Sequence, residues 1–150
     1  MRILLAAVVL SLLLALSPQA TRAADAPLSY AGKNVLVTGS TDGLGRELAL
    51  ALSADGAHVI VHGRNAARGQ AVVDEITRAG KGSARFIAAD FSSLQATREF
   101  ADTIAQDYPR LDLLVNNAGI AFNNAPARSG NADGYGLQFV VNYPAGWVLA

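Results

Sequence analysis

The chain contains no cysteine, two lysines, two histidines, one methionine and one tryptophan in 150 residues. Without cysteine there is no disulfide, no thiolate zinc site and no cysteine nucleophile. His58 and His62 flank one short apolar run with no cluster of acidic partners nearby, so no metal site is expected. An excess of one charge is also missing. Twelve basic residues stand against 12 acidic ones, and nothing gathers the basic ones into the stripe that nucleic acid requires. No nucleic-acid partner is expected. What is abundant is apolar surface: 51% of the residues are hydrophobic, enough for a genuine core in a chain of one-domain length.

The apolar stretch at the start, Ile3 to Leu16, has 14 residues, short of the roughly 20 of a spanning helix. Arg2 precedes it, and Ser17-Pro18-Gln19 and a small-residue segment ending at Ala24 follow it. That is the layout of a secretory signal peptide. Residues 1–24 are therefore expected to be a signal peptide cleaved near Ala23 or Ala24, or an uncleaved N-terminal membrane anchor. The chain would then be exported, as to a periplasm, or tethered to a membrane. A start codon further along would leave it cytoplasmic.

From Tyr30 onward, short β-rich runs alternate with helix-period segments, the pattern of a parallel sheet wrapped by helices. Strands are expected over Asn34–Thr38, His58–His62, Ala84–Ala89 and Leu111–Asn116. Helices are expected over Gly43–Ala54, where Leu44, Leu48 and Leu52 step by four, and over Ala66–Ala79, capped by Asn65 and closed by Gly80. A third follows Ser92 or Ser93, carries Phe100, Ile104 and Tyr108 on one face, and stops at Pro109. The strand ends fall 25 to 27 residues apart, a βα unit used four times. Right-handed crossovers then give the strand order 3-2-1-4, a Rossmann-like doubly wound α/β sheet. Residues 120–133, rich in Asn, Gly, Pro and Ala, are expected to form a mobile loop. A last helix starts near Asp133 or Gly134 and carries Leu137, Val140, Val141, Trp147 and Val148. Pro144 would cost that helix ~3 kcal/mol if it were regular, so a kink is expected there.

The most informative string is Thr38-Gly39-Ser40-Thr41-Asp42-Gly43-Leu44-Gly45. It joins the first strand to the first helix through glycines spaced Gly-x-x-x-Gly-x-Gly, a turn that lets backbone approach a pyrophosphate and aims helix-start N–H groups at it. The spacing is neither Gly-x-Gly-x-x-Gly nor a P-loop, because no Gly-Lys-Ser/Thr follows. Gly39 permits the tight turn, Gly43 clears room for phosphate oxygens, and Gly45 lets the helix pack closely on the sheet. Gly39, Ser40, Thr41, Gly43, Leu44 and Gly45 are the expected diphosphate-binding residues. At the end of the second strand, His62-Gly63-Arg64 offers a basic residue and no acid. A guanidinium at this position suits a ribose 2′-phosphate, so NADP is favoured over NAD.

With Asp90-Phe91 and Asn116-Asn117-Ala118-Gly119, these landmarks resemble the short-chain dehydrogenase/reductase family over about 120 residues, from Gly32 to Ala150. The resemblance implies a nicotinamide dinucleotide cofactor and hydride transfer between it and an alcohol or carbonyl substrate. It implies that the Asp90 side chain and the Phe91 N–H meet the adenine. It also implies that the first asparagine, Asn116, ties neighbouring strands, while Asn117, Ala118 and Gly119 let the cofactor ribose approach. In the segment Asp133–Tyr143, the asparagine matching the family's catalytic-relay residue is Asn142, expected mid-helix and expected to hold a water.

The family's acid–base pair, a tyrosine followed four residues later by a lysine, does not occur in this sequence. Tyr30 precedes Lys33 by three, and no lysine follows Tyr108, Tyr135 or Tyr143. An unassisted tyrosine, with a pKa of ~10, is a poor base near neutrality. The chain therefore reads as the cofactor-binding half, residues 30–150, of an NADP-dependent oxidoreductase, truncated after the fourth strand and its helix and without turnover of its own. The alternative is a non-catalytic dinucleotide-binding or interaction module. A fourth strand left at the sheet edge would also invite self-association.

Overall fold

The computed structural model describes residues 29–121 and 130–150. The leader or anchor expected over residues 1–24, and residues 122–129 of the expected loop, lie outside the described residues. Four parallel strands, β1 (Asn34–Val37), β2 (His58–Gly63), β3 (Ser83–Ala88) and β4 (Leu113–Val115), form one sheet in the order β3-β2-β1-β4. Val35 pairs with Val59 on one side and with Leu113 on the other.

Alternation along β1 and β2 divides the core into two layers. Val35, Val37, Val59 and Val61 face α1 (Gly43–Ala54) and α2 (Ala66–Ala79), packing with Ala49, Leu52, Val72 and Ile76. Leu36 and Ile60 face the other way, toward Phe91, and toward Phe100 and Ile104 of α3 (Leu94–Asp107). Each of these side chains is almost wholly removed from water, which stabilises by about 2 kcal/mol for a full-sized aliphatic group.

Local chemistry sets the helix ends. The Asp42 carboxylate accepts from the Gly43 N–H, Asn65 Oδ1 accepts from the Arg68 N–H at 3.0 Å, and Ser93 Oγ accepts from the Ala96 N–H at 3.2 Å. The bounds of α1 and α2 are those read from the sequence. β4 is shorter than expected, three residues rather than six: its only partner among the described residues is β1, and the pairing covers Leu113–Val115 alone.

The last helix is two helices. α4 (Leu137–Asn142) ends at Tyr143, whose backbone lies at φ −122°, ψ −70°, and α5 (Pro144–Leu149) begins with the proline. Pro144 therefore costs little: at the first position of a helix its missing N–H has no partner to lose. Among the described residues no helix is long and apolar enough to cross a membrane.

Candidate functional site: a cleft at the carboxyl ends of the strands

The chain leaves β1 toward β2 on one side, while β4 lies on the other. This is a topological switch point, where open α/β sheets form a crevice. A cleft of about 480 Å³ opens there, within the range of small-molecule sites. Eleven of the 12 residues expected to hold a dinucleotide line it: Gly39, Thr41, Gly43, Leu44 and Gly45 from the first turn, Arg64, Asp90 and Phe91 from the next two, and Asn117, Ala118 and Gly119 after β4.

The floor is the start of α1. Gly39 adopts φ +66°, and a Cβ there would stand 2.9 Å from Ala118 Cα, so both conformation and close approach demand glycine. At Gly45 a Cβ would run into the Asn117 amide and the Gly39 carbonyl. The helix thus packs closely, as expected, but against the turn and Asn117. The Leu44 and Gly45 amides lie in the first turn of α1 and have no intrahelical acceptor. With no acidic residue inside that turn, this is an anion-binding geometry. Leu44, counted in the apolar stripe of the helix, is instead 78% exposed at the cleft mouth.

Ser40 is not a ligand-facing residue. It is fully buried, its Oγ donates to the Val37 carbonyl at 2.7 Å, and that oxygen accepts from the His62 N–H at 3.0 Å. Its hydroxyl fastens β1 to β2. The tie to β4 comes from Thr38 and Asn117. Thr38 Oγ1 donates to the Val115 carbonyl at 3.2 Å and accepts from the N–H groups of Asn117 and Ala118, both at 3.0 Å. The Asn117 amide donates to the carbonyls of Thr38 at 3.0 Å and Gly39 at 3.2 Å. The second asparagine, not Asn116, therefore binds the strands together. Asn116 is exposed and reaches only the Gly146 carbonyl, at 3.5 Å.

At the β2 end, Arg64 is exposed on the cleft wall and forms no salt bridge among the described residues. The strand end itself lacks an acid, but the fold brings one in. Asp42 lines the cleft, and its Oδ2 accepts from Arg68 Nη1 of α2 at 3.2 Å. Asp90 is exposed and its Oδ1 accepts from the Ser92 N–H at 3.0 Å. The Phe91 side chain is buried, leaving its backbone as the part that can meet a ligand.

His62 was not among the expected site residues, yet it lines the cleft. Its signal was the strand period: His62 shares the parity of Ile60, the face that packs on Phe91 and Phe100. Burial pushes its pKa down to about 4. Asn142 is the last residue of α4 and not mid-helix. Its Oδ1 accepts from the Ile120 N–H at 2.9 Å and its Nδ2 donates to the Ile120 carbonyl at 3.0 Å. The amide thus clamps the lip beyond Gly119. No group of three or more acidic or histidine side chains suited to a metal occurs among the described residues.

The family model for short chain dehydrogenases matches residues 33–143. The 3beta-hydroxysteroid dehydrogenase of Mediterraneibacter gnavus is 43% identical over 88 residues, 59% of this chain and 32% of that protein. Human retinol dehydrogenase 14 is 35% identical over 132 residues, 79% of this chain and 38% of that protein. Among solved structures, a metagenomic short-chain oxidoreductase in complex with NADP superposes with a TM-score of 0.71 at 33% identity, covering 81% of this chain and 55% of the other. The chain thus spans well under half the length of these curated relatives and about half of that solved chain.

Proposed function

Because the chain belongs to the short-chain dehydrogenase/reductase family, whose members are oxidoreductases, we propose that its cleft holds NADP as the cofactor-binding half of an enzyme acting on an alcohol or carbonyl. The observation that carries this reading is the start of α1, where the amides of Leu44 and Gly45 open onto the cleft without helical partners. When bound, the nicotinamide supplies or accepts the hydride.

The chain's own residues do the holding. The Leu44 and Gly45 amides receive the diphosphate, with Gly43 leaving room for it, and Arg64 takes the ribose 2′-phosphate, for which its planar fork is suited. Arg68 occupies the Asp42 carboxylate, reducing its repulsion toward that phosphate. Asp90 and the Phe91 N–H serve the adenine, and Ala118 and Gly119 leave room for the second ribose. Asn142 fixes the Ile120 backbone beside it, and the relay role expected of it is part of the proposal.

None of the four tyrosines has a lysine four residues on, so the 150-residue chain is expected to bind cofactor without catalysing hydride transfer. The exposed edge of β4 offers a second copy a strand to pair with, which sedimentation of the chain would reveal. The Ile3–Leu16 segment is proposed to lead the chain to a membrane or out of the cytoplasm, and fractionation of a tagged chain tests that.

The central test is a titration of the chain with NADP+ and NAD+. NADP+ is expected to bind more tightly, and Arg64→Ala to lose about tenfold for NADP+, or about 1.4 kcal/mol, with little change for NAD+. Binding of neither dinucleotide would overturn the reading. An unchanged NADP+ affinity in the variant would overturn the choice of cofactor.

A further inference from the structure

His62, next to last in β2, has 3% of its surface exposed, and no role above uses its ring. The ring is held from three directions. The Gly39 N–H points at Nδ1 from 3.1 Å, Nε2 lies 3.3 Å from the Ala89 carbonyl oxygen, and Phe91 stacks on one face at 4.1 Å between centroids and 18° between planes. Its backbone is fastened to Ser40 at both polar groups, through the Ser40 hydroxyl and the Ser40 N–H.

Two of these partners determine the proton's position. A backbone N–H can only donate, so Nδ1 must accept; a carbonyl can only accept, so Nε2 must carry the hydrogen. A second proton, on Nδ1, would oppose the Gly39 N–H, donor against donor. The depressed pKa of the buried ring agrees with this geometry.

The two partners belong to different ends of the cleft. Gly39 opens the turn that runs into α1, and Ala89 begins the segment carrying Asp90 and Phe91. We propose that His62, neutral and protonated on Nε2, is a positioning residue that ties the glycine turn to the Ala89–Phe91 wall and so fixes the distance between the diphosphate and adenine ends of the site. This rests on the dinucleotide reading above. A core-filling ring would need only the stacking; the tie needs an acceptor and a donor on opposite sides of the same ring.

Three side chains separate these roles. His62→Phe keeps an aromatic ring on Phe91 and loses both hydrogen bonds. His62→Asn places an amide oxygen near Nδ1 and keeps the Gly39 bond. In the wild-type chain, 15N imidazole shifts are expected to show Nδ1 unprotonated and Nε2 protonated at neutral pH. His62→Phe is expected to lose about tenfold in NADP+ affinity while changing little for 2′-AMP, which occupies the adenine end alone. His62→Asn is expected to recover part of the NADP+ loss. Equal losses for the two ligands, an unchanged NADP+ affinity in His62→Phe, or a wild-type ring protonated on Nδ1 would each overturn the tie. If the wild-type chain bound neither ligand, the dinucleotide reading would fall with everything built on it, while the nitrogen shifts would still decide the tautomer.

Discussion

β1 and β4 lie side by side and form opposite lips of the cleft, yet they are held by different means. Val35, Leu36 and Val37 of β1 are 0, 1 and 0% exposed, sandwiched between strands on both sides and helices on both faces. Leu113, Leu114 and Val115 of β4 are as apolar but only half-buried. Polar fasteners at its two ends make up for the weaker burial. At the lower end the Asn34 N–H donates to Asp112 Oδ2 at 2.9 Å, the Asn34 amide donates to the Arg110 carbonyl at 3.0 Å, and Lys33 pairs with Asp112 at 3.5 Å. At the upper end stand the Thr38 and Asn117 bonds. A central strand is placed by non-directional burial, whereas an edge strand needs directional bonds to keep its register. The cleft sits between the two.

The sharpest way to break this comparison is to remove the same atoms from each strand. Leu36→Ala should cost about 3 kcal/mol, the usual range for a packed leucine. Leu114→Ala, beside it on the same face and half-exposed, should cost about 1 kcal/mol. Urea denaturation of both variants measures the gap. Equal losses would mean that β4 is as deeply packed as β1.

Acid separates the same two regions. The His62 pKa in the folded chain, about 4, lies below its ordinary 6.5, so the unfolded chain binds the extra proton first. Stability is then constant above pH ~6.5 and falls as the pH drops toward ~4, by on the order of 3 kcal/mol. His62→Asn should flatten that slope. Asp112 shifts in the same sense but from a lower starting point: the Asn34 N–H, then Arg110, hold its carboxyl below the usual carboxylate range. Its contribution to the base of β4 persists through the His62 window and is lost only at lower pH. Thermal melts at stepped pH, with amide exchange at β4, would separate the two. Early fraying of β4 above pH 4 would contradict this order.

The same contrast explains what could be read from the chain. α1 and α2 were legible to the residue because caps and glycine stops are local signals and their apolar faces meet β1 and β2 as periodicity requires. The strand order followed from the βα spacing, and the cleft from the glycine turn. Errors gathered where a long-range partner decides the outcome. Ser40 looked ligand-facing beside Gly39, but the neighbouring strand claims its hydroxyl. Leu44 fitted a four-residue step but starts the helix at an open rim. Of two adjacent asparagines, only the fold tells which turns back toward Thr38. His62 lacked acidic neighbours in sequence, and its partners are a backbone amide and a carbonyl brought in from the turns after β1 and β3. Tyr143 and Pro144 read as a kink because nothing local distinguishes a bent helix from one helix ending and another beginning.

Thr38→Val tests the upper fastener by exchanging a hydroxyl for a methyl at nearly constant shape. Thr38 is 1% exposed, so the Ala118 N–H loses its acceptor in a confined space, at about 1–3 kcal/mol, while the Asn117 N–H keeps the Val115 carbonyl at 3.0 Å. Faster amide exchange should follow in residues 113–119 and leave β2 and β3 unchanged. NADP+ affinity should fall because Ala118 and Gly119 form that lip. If exchange rose uniformly across the sheet, the two strands would be one cooperative unit.

The smallest effect is expected on the outer face of α5. Trp147, the chain's single tryptophan, is 81% exposed, and Phe139 and Tyr143 beside it are more than half-exposed. Burial there contributes so little that Trp147→Ser should shift stability by less than ~0.5 kcal/mol. The indole gives a direct check, because in dilute solution its emission should have the red-shifted maximum of a water-exposed ring. A blue-shifted maximum at all concentrations would mean that α5 is packed more deeply than its exposure indicates. A blue shift that grows with concentration would show this face being covered by association, and the difference between a buried β1 and an under-covered β4–α5 region would then hold only for the isolated chain.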